Sequence, residues 1–232
     1  MTAWERRIER AAELAKRVPA AAELLRFYQA LWGRLSGLPP GFDPARRPEG
    51  RRQLGRAAPH AVRDLVASAG PPLLAETARN HAEPAESFIA RVLRQAEAIE
   101  AARWSQFDKA GVTRNTCPFC GERPVAAVLR PQGEGGKRYL LCSLCLTEWE
   151  FRRMLCPNCG EENHEKLPVY STTEFPHIRV EACDSCQHYI KAVDLTVDGR
   201  AVPEVDEIAA IALDLWASEI GYTKLAANLF EL

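Results

Sequence analysis

Residues 142–160 read CSLCLTEWEFRRMLCPNCG and contain two Cys-x-x-Cys pairs separated by only ten residues. A metal site with four thiolate ligands needs two such pairs. The two neighbouring pairs therefore either serve one site together or belong to two different sites. The cysteines elsewhere in the chain decide between these possibilities.

The chain has eight cysteines, and all of them fall in four Cys-x-x-Cys pairs: Cys117 and Cys120, Cys142 and Cys145, Cys156 and Cys159, Cys183 and Cys186. CPFCGERP begins at residue 117 and recurs as CPNCGEEN at residue 156, and LCSLC at residue 141 recurs as ACDSC at residue 182. Each copy predicts a pair, a strand hairpin and a second pair. The first two pairs would then form one site and the last two another. A cross-braced pairing, in which alternate pairs share an ion, stays open as a competitor.

The Cys-x-x-Cys spacing lets two sulfurs converge on one ion while backbone N–H groups turn toward the thiolates. The residue after the second cysteine often needs a positive φ, which Gly121 and Gly160 adopt without strain. The closing pairs carry Leu146 and Gln187 at that position instead. We therefore expect those two turns to be more strained or slightly different.

Two other uses of the cysteines are less favoured. Disulfides suit exported proteins, but Arg6-Arg7 is not followed by the apolar stretch of a twin-arginine signal. Thioredoxin-like exchange uses one Cys-x-x-Cys at a helix start rather than four in tandem.

No apolar run approaches the ~18–20 residues of a membrane span. We therefore expect a cytoplasmic protein without a membrane span, whose eight cysteines bind two metal ions.

Four thiolates suit Zn²⁺ and a mononuclear rubredoxin-type iron equally, so the spacing leaves the metal open between zinc and iron. With four protein ligands, neither ion keeps a position for substrate water, and no acid–base or nucleophile constellation stands out elsewhere. The chain is therefore not expected to be an enzyme. His164, His177 and His188 lie near the cysteines, but eight thiolates already complete two sites, so we expect these histidines on the surface.

The half before the cysteines predicts an all-helical domain. Apolar residues recur at helical spacing in five segments, 3–18, 20–36, 59–69, 72–80 and 85–104. Between the second and the third, SGLPPGFDPARRPEG contains too many prolines and glycines to continue a helix. We expect the apolar stripes of these helices to pack against one another.

From Cys117 onward, short strand-like runs alternate with turns: VAAVLR, KRYLLC, KLPVY, IRVEAC and YIKAVDL. PQGEGGK predicts the turn between the first two, residues 205–216 predict one apolar helix, and 217–232 a short tail. The sequence thus predicts an α+β fold with an α-helical domain at 1–112, two tandem rubredoxin-like or zinc-ribbon modules at 113–150 and 151–200, and a C-terminal helix and tail at 201–232.

Charge separates the same two halves of the chain. Residues 1–116 hold 19 Lys and Arg against 13 Asp and Glu, a balance of +6, whereas residues 117–232 hold 11 against 18, a balance of −7. This asymmetry favours two structural units and a protein partner that recognises one of them.

The order of these motifs resembles one family, the bacterial formate dehydrogenase accessory proteins, or FdhE family. The resemblance rests on CPFCGERPVAAVL, RYLLCSLCLTEWEFRRMLCPNCG, VEACDSCQHYIKAVDL and VDEIAAIALDLWASEIGYTKLAANLF, between residue 117 and about residue 230. The last stretch is the most specific, because a generic zinc ribbon would not be followed by that helix and tail. The N-terminal half matches only in being helical.

The resemblance implies a helical domain joined to two rubredoxin-like modules, and a cytoplasmic role in assembling respiratory formate dehydrogenase. It also implies contact with the molybdenum- or tungsten-containing catalytic subunit before export, with iron as the usual metal. The positions that carry over are the eight cysteines only. The oligomeric state is not implied.

Three functions follow as hypotheses. The leading one is an assembly chaperone or maturation factor for formate dehydrogenase. The second is a nucleic-acid-binding zinc-ribbon protein, suggested by the basic cluster of Arg46, Arg47, Arg51, Arg52 and Arg56. A solvated arginine-rich loop is the favoured explanation of that cluster, and the acidic half argues against phosphate contacts, so nucleic acid is not the expected partner. The third is a rubredoxin-like one-electron carrier, which requires iron.

Overall fold

The computed structural model describes residues 2–36, 49–103, 114–133 and 135–232, with side chains in the third helix described from residue 59 onward. The chain divides into two compact units, residues 1–105 and 106–232. Helices make up the first unit, and a sheet with two cysteine clusters and C-terminal helices makes up the second, so the predicted α+β fold is confirmed. Within the described ranges, no helix combines the length and the apolarity needed to cross a membrane. The predicted domain boundaries at residues 112, 150 and 200 stay predictions.

The helical unit consists of five α-helices in the described residues: α1 (Ala3–Arg17), α2 (Ala22–Ser36), α3 (Glu49–Ala69), α4 (Pro72–Arg79) and α5 (Ala85–Arg103). Helix α1 starts at a capping box, in which the Thr2 hydroxyl accepts from the Glu5 N–H and the Glu5 carboxylate accepts from the Thr2 N–H. A short 3₁₀ turn with Pro19 at its first position leads into α2, because a proline there loses no hydrogen bond.

The apolar stripes of these helices pack against one another, as the sequence predicts. Trp32 is almost fully buried, and its ring centroid lies 5.0 Å from that of Trp4. Phe27 of α2 stacks on Phe88 of α5 with 5.7 Å between ring centroids. Aromatic pairs at such distances add stability beyond the area that they bury.

The predicted start of the third helix is wrong. Helix α3 begins at Glu49 rather than at residue 59, and Pro59 lies inside it. A proline removes one backbone N–H from a helix, and a helix with enough other bonds continues across it. Most of the predicted loop SGLPPGFDPARRPEG, residues 37–48, lies outside the described residues, as does Glu134 in the predicted turn PQGEGGK.

The second unit is built on one seven-stranded sheet. Its strands are β1 (Pro124–Gln132), β2 (Gly135–Cys142), β3 (Glu148–Glu150), β4 (Val169–Ser171), β5 (Ile178–Cys183), β6 (His188–Asp194) and β7 (Thr223–Lys224). The order across the sheet is β3-β2-β1-β6-β5-β4, with β7 paired to one end of β6. The sequence predicts strands at β1, β2, β4, β5 and β6 but not at β3 or β7, which have only three and two residues.

The sequence repeat appears in the sheet as two three-stranded antiparallel meanders. In the first, β1 pairs with β2 and β2 with β3; in the second, β4 pairs with β5 and β5 with β6. The two meanders join where β1 pairs in parallel with β6, over Ala126–Leu129 and Lys191–Asp194. One continuous sheet therefore carries both predicted metal modules.

The single helix predicted over residues 205–216 is also wrong. Two helices, α6 (Pro203–Ala209) and α7 (Ile211–Glu219), meet at Ala210, whose φ of −88° and ψ of 36° are not helical. Lys191 of β6 explains the break, because its ammonium group donates to the carbonyl oxygens of Glu207 at 2.6 Å and Ala210 at 3.3 Å. The Ala210 carbonyl oxygen also accepts from the Leu213 N–H at 3.0 Å, three residues on, so one α-helical ladder does not run through this point.

Lys191 belongs to a buried polar network that fastens the C-terminal helices and tail to the sheet. Its ammonium lies 3.0 Å from the Glu207 carboxylate and 2.5 Å from that of Asp214, and Lys224 of β7 contacts the same two carboxylates. Tyr189 donates to Asp214 at 2.7 Å. Burial alone would raise the pKa of Glu207, but the charges of Lys191 and Lys224 hold it below its ordinary value. That carboxylate therefore contributes stability that is lost as the pH falls below about 4.

Replacing Lys191 by methionine should lower the free energy of unfolding by about 3 kcal/mol, because Glu207 and Asp214 lose a buried cation. Urea unfolding at fixed metal content measures the change. Lys137→Met is the matched control, since the pair of Lys137 with Glu150 is partly exposed and screened by solvent, so this variant should lose much less stability. Equal losses in the two variants would show that the buried network does not fasten the C-terminal segment.

Candidate metal centres

The structure brings the eight cysteines together in two groups of four. Within each group the Sγ atoms all lie within 4.8 Å of one another. The first quartet is Cys117, Cys120, Cys142 and Cys145, and the second quartet is Cys156, Cys159, Cys183 and Cys186. These are the two groups that the repeat predicts, and the cross-braced arrangement does not occur. The neighbouring pairs in residues 142–160 therefore lie in different quartets.

The sulfur positions fit a tetrahedral metal site. In the first quartet, Sγ of Cys120 lies 3.3 Å from Cys142 and 3.6 Å from Cys145. In the second, Sγ of Cys159 lies 3.7 Å from Cys183. Four sulfurs at about 2.3 Å from a central ion lie about 3.8 Å apart, whereas a disulfide bond is about 2.05 Å long. All eight cysteines are free thiols, so the disulfide alternative is wrong for this structure.

The four turns that carry the pairs share one backbone geometry. The residue after each second cysteine has a positive φ: 81° at Gly121, 54° at Leu146, 77° at Gly160 and 55° at Gln187. The glycines fit the expectation, and the leucine and glutamine adopt the same left-handed region at a cost of about 1–2 kcal/mol each. The expected strain at the closing pairs is thus present, in turns of the same type.

Backbone groups in these turns point at sulfur. The N–H groups of Leu144 and Cys145 donate to Sγ of Cys142 at 3.4 and 3.5 Å, and that of Asn158 donates to Sγ of Cys156 at 3.4 Å. Such donors stabilise a thiolate, which is the form that binds metal. None of the pairs lies at the start of a helix, so the geometry does not fit thioredoxin-like exchange.

The thiols of the first quartet cannot all ionise without a cation. Hydrogen bonds with Cys142 and Cys145 lower the pKa of Cys117, and the contact with Cys117 raises the pKa of Cys142 well above its ordinary range. One thiolate is thus stabilised by neighbours that keep their protons. A bound dication would displace those protons, so metal retention should weaken as the pH falls.

The second quartet is more accessible to solvent than the first. Cys159 is exposed and Cys186 is partly exposed, whereas three cysteines of the first quartet are buried and Cys120 is intermediate. Burial opposes the ionisation of Cys186, but hydrogen bonds from Asn158 and His188 hold its pKa at about 7. The two quartets therefore share a fold but differ in their exposure to solvent.

The histidines are not part of either quartet. His164 is exposed, as expected, and His188 is half-buried with Nδ1 2.7 Å from the Cys186 carbonyl oxygen. The surface prediction is wrong for His177, which is buried with Nε2 2.8 Å from the Asp206 carboxylate. The same carboxylate accepts from the Val202 N–H at 2.7 Å and so caps α6. His177 therefore fixes a helix end.

Arg138 links the first meander to the second quartet, which the sequence analysis missed. Its guanidinium is buried, lies 2.8 Å from the Glu181 carboxylate on β5, and donates to the Arg152 carbonyl oxygen at 3.0 Å. Two strands, β1 and β6, separate β2 from β5, so this ion pair joins strands that are not neighbours in the sheet. A charged residue inside the apolar run KRYLLC was the available signal.

The predicted arginine cluster cannot be placed. Arg46 and Arg47 lie outside the described residues, and the side chains of Arg51, Arg52 and Arg56 are likewise not described. The nucleic-acid hypothesis therefore draws no support from the fold.

Two family models match consecutive parts of the chain. The model described as FdhE, central domain, matches residues 116–153, and the model described as FdhE, C-terminal domain, matches residues 154–231. Together they cover half of the chain. The chain belongs to the FdhE family. The boundary between the two FdhE models separates the two quartets, so each model contains one of them.

Relatives named Protein FdhE homolog match the same half. That of Aquifex aeolicus is 40% identical over 116 residues, which are 50% of this chain and 41% of the relative. That of Pseudomonas aeruginosa is 40% identical over 124 residues, which are 50% of this chain and 40% of the relative. The matched stretch thus spans about two fifths of these proteins.

A solved structure extends the likeness to the helical unit. The crystal structure of the FdhE protein from Pseudomonas aeruginosa is similar with a TM-score of 0.70 and 25% identity, over 97% of this chain and 94% of that one. Because the likeness covers nearly the whole chain, it includes the N-terminal helices. In that half, the sequence motifs match the family only in being helical.

The grouping of the ligands can be tested by metal content. Cys142→Ser should reduce the metal from two ions per chain to one, and a Cys120→Ser, Cys142→Ser double variant should also keep one, since both residues lie in the first quartet. A Cys142→Ser, Cys183→Ser double variant should lose both. Elemental analysis of the purified proteins measures this. A cross-braced protein would give the opposite result for the two double variants.

The difference in exposure predicts different rates of metal loss. Cys142→Ser keeps only the second site, and Cys183→Ser keeps only the first. Because Cys159 is exposed, a colorimetric chelator should remove the metal of Cys142→Ser about tenfold faster than that of Cys183→Ser. Equal rates would mean that the exposure of Cys159 does not control access to the ion.

Proposed function

We propose that the chain is a cytoplasmic accessory factor for the assembly of respiratory formate dehydrogenase, that it binds the catalytic subunit of that enzyme, and that it is not itself an enzyme. The observation that carries this proposal is the pair of four-thiol quartets, one within each of the two matched FdhE domains. The assembly role comes from the family resemblance, and the geometry of the quartets is compatible with it.

The chemistry of the quartets supports a structural role for the metals. Four sulfurs at tetrahedral spacing fill the coordination of zinc or of rubredoxin-type iron, so neither ion would keep a position for a substrate or for water. Structural zinc contributes roughly 10–16 kcal/mol to the folding of small finger peptides. Two such ions would hold the short turns and meanders of the second unit in place.

The rest of the second unit also fits a binding protein. The buried charged side chains of the network around Lys191 satisfy one another and hold the C-terminal helices against the sheet. The opposite charges of the two halves of the chain suit recognition of a protein surface.

Deletion of the gene should abolish formate dehydrogenase activity while the transcript of the catalytic subunit stays intact. The tagged wild-type chain should retain the catalytic subunit in a pull-down, and Cys142→Ser should retain less of it if the first metal holds the binding surface in shape. Full formate dehydrogenase activity in the deletion strain would refute the proposal.

The exposure of Cys159 favours a second candidate, a rubredoxin-like one-electron carrier. An ion held by an exposed thiolate lies close to the surface, where an electron could pass to a partner. This role requires iron, so aerobically purified protein should show the visible charge-transfer bands of a ferric tetrathiolate. A colourless protein with two zinc ions would eliminate this candidate.

A further inference from the structure

Strand β4 occupies the same place in the second meander as β1 occupies in the first. Val128 of β1 faces Tyr139 of β2, and Tyr170 of β4 faces Val180 of β5. The outer edge of β1 is covered, because β6 pairs with it in parallel. The equivalent outer edge of β4 has no neighbouring strand in the part of the chain that the structure describes.

The backbone pattern shows which groups face outward from β4. The Pro168 carbonyl oxygen accepts from the Ala182 N–H at 3.0 Å, and hydrogen-bonded positions alternate along an antiparallel pair. Tyr170 therefore bonds to β5, while the N–H and C=O groups of Val169 and Ser171 point away from the sheet. The outward-facing positions alternate in the same way on β1. There Leu129, the residue after Val128, points outward, and its carbonyl oxygen accepts from the N–H of Leu195, just after β6, at 2.9 Å.

A cavity of about 450 Å³ adjoins this edge. The cavity is lined by three residues that lie opposite one another on neighbouring strands: Val169 on β4, Glu181 on β5 and Ile190 on β6. We call it the β4 cavity. Met154 lines the cavity too. Val169 and Met154 are 55% and 49% exposed, although both side chains are large and apolar. Apolar surface left open beside an unpaired strand edge suits an apolar side chain from another molecule.

The charge of the β4 cavity indicates what such a molecule would carry. Three arginines line the cavity against one glutamate, in a half of the chain with a net charge of −7. Arg138 lies 2.8 Å from Glu181, and Arg179 lies 3.2 Å from Glu181 and 3.9 Å from Asp194. Arg153 is exposed and takes part in no ion pair among the described residues. The local charge therefore complements acidic side chains rather than basic ones.

We propose that the outer edge of β4 binds an extended segment of the partner protein as an added strand, with an apolar side chain in the β4 cavity and an acidic side chain near Arg153. Main-chain bonds to Val169 and Ser171 would supply affinity, and the cavity would supply specificity. The strand would repeat on β4 what β6 does on β1. The identity of the partner as the catalytic subunit rests on the proposed function.

A second copy of the chain is a weaker occupant. To repeat on β4 the contact that β6 makes with β1, a second copy would have to offer β3, which is an edge strand of the sheet and the equivalent of β6. Trp149 of β3 is buried and donates to the Arg114 carbonyl oxygen, while Glu148 and Glu150 pair with Arg130 and Lys137 of the same molecule. These side chains are already engaged within their own chain. Head-to-tail pairing of this kind would also build a ring or an open filament rather than a two-fold dimer.

The test uses a synthetic ten-residue peptide, labelled with a fluorophore, in which glutamates stand two residues before and two residues after a central leucine and threonine fills the positions between them, so that leucine and glutamate share one face of the added strand. Fluorescence anisotropy with the metal-loaded full chain should show binding, and the same peptide with lysine in place of glutamate should bind at least about tenfold more weakly. Equal binding of both peptides would overturn the assignment of an acidic segment.

Two pairs of variants locate the binding. Ser171→Pro removes an outward N–H at an edge position that tolerates proline, and should weaken binding of the acidic peptide about tenfold, whereas Ser171→Ala should bind like the wild type. Arg153→Gln should weaken binding, whereas Arg123→Gln, at an exposed arginine beside the first quartet, should not. Unchanged affinity in both Ser171→Pro and Arg153→Gln would overturn the proposal. So would concentration-dependent self-association that Ser171→Pro abolishes, because the edge would then bind a second copy.

A pull-down separates this inference from the proposed function. If the wild type and Ser171→Pro retain the catalytic subunit of formate dehydrogenase equally, the β4 edge is not the binding site, and the proposed function stands. If neither retains it while the acidic peptide still binds the wild type and not Ser171→Pro, the edge binds acidic segments and the proposed partner is wrong.

Discussion

The gathering of four sulfur atoms by two short turns is the constraint on which the second unit depends. Each meander has only three strands, and β3 and β4 are three residues long. Strands of that length bury little apolar surface, so they do not hold a sheet by themselves. A quartet joins the turn before each meander's first strand to the turn after its second. The cost of the left-handed backbone at Leu146 and Gln187 is small beside the stabilisation that an ion supplies.

A second level of organisation turns two metal modules into one sheet. The parallel contact of β1 with β6 joins the meanders, and Arg138 connects β2 to β5 and to the segment before the second quartet. The network around Lys191 then fixes α6, α7 and β7 against β6. The C-terminal stretch that distinguishes this family from a generic zinc ribbon thus has a physical role, since it covers the sheet with groups that satisfy one buried lysine.

Much of the candidate site could be predicted, because the cysteines that form a thiolate metal site occur in short, regularly spaced sequence motifs. The spacing of the cysteines and their recurrence from Cys117 to Cys156 give both the quartets and their grouping. The positive φ at Gly121 and Gly160 follows from the same turns. The strand runs with alternating or continuous apolar residues are equally local, and so are the stripes of the five helices.

The features that the sequence hides are those set by distant contacts. The break at Ala210 depends on Lys191, which lies on a different strand, and the burial of His177 depends on Asp206 at the start of α6. The apolar pattern predicts that the third helix starts at residue 59, but α3 begins at Glu49 and continues across Pro59. The joining of β1 to β6 could not be seen in either repeat alone, because each copy contains only one side of that contact.

X-ray absorption at the metal edge of the purified protein tests the central claim most directly. Two closed thiolate quartets predict four sulfur neighbours per ion at about 2.3 Å, with no nitrogen or oxygen in the first shell. A shell containing nitrogen or oxygen ligands, or protein whose cysteines are joined in disulfides and hold no metal, would contradict the account.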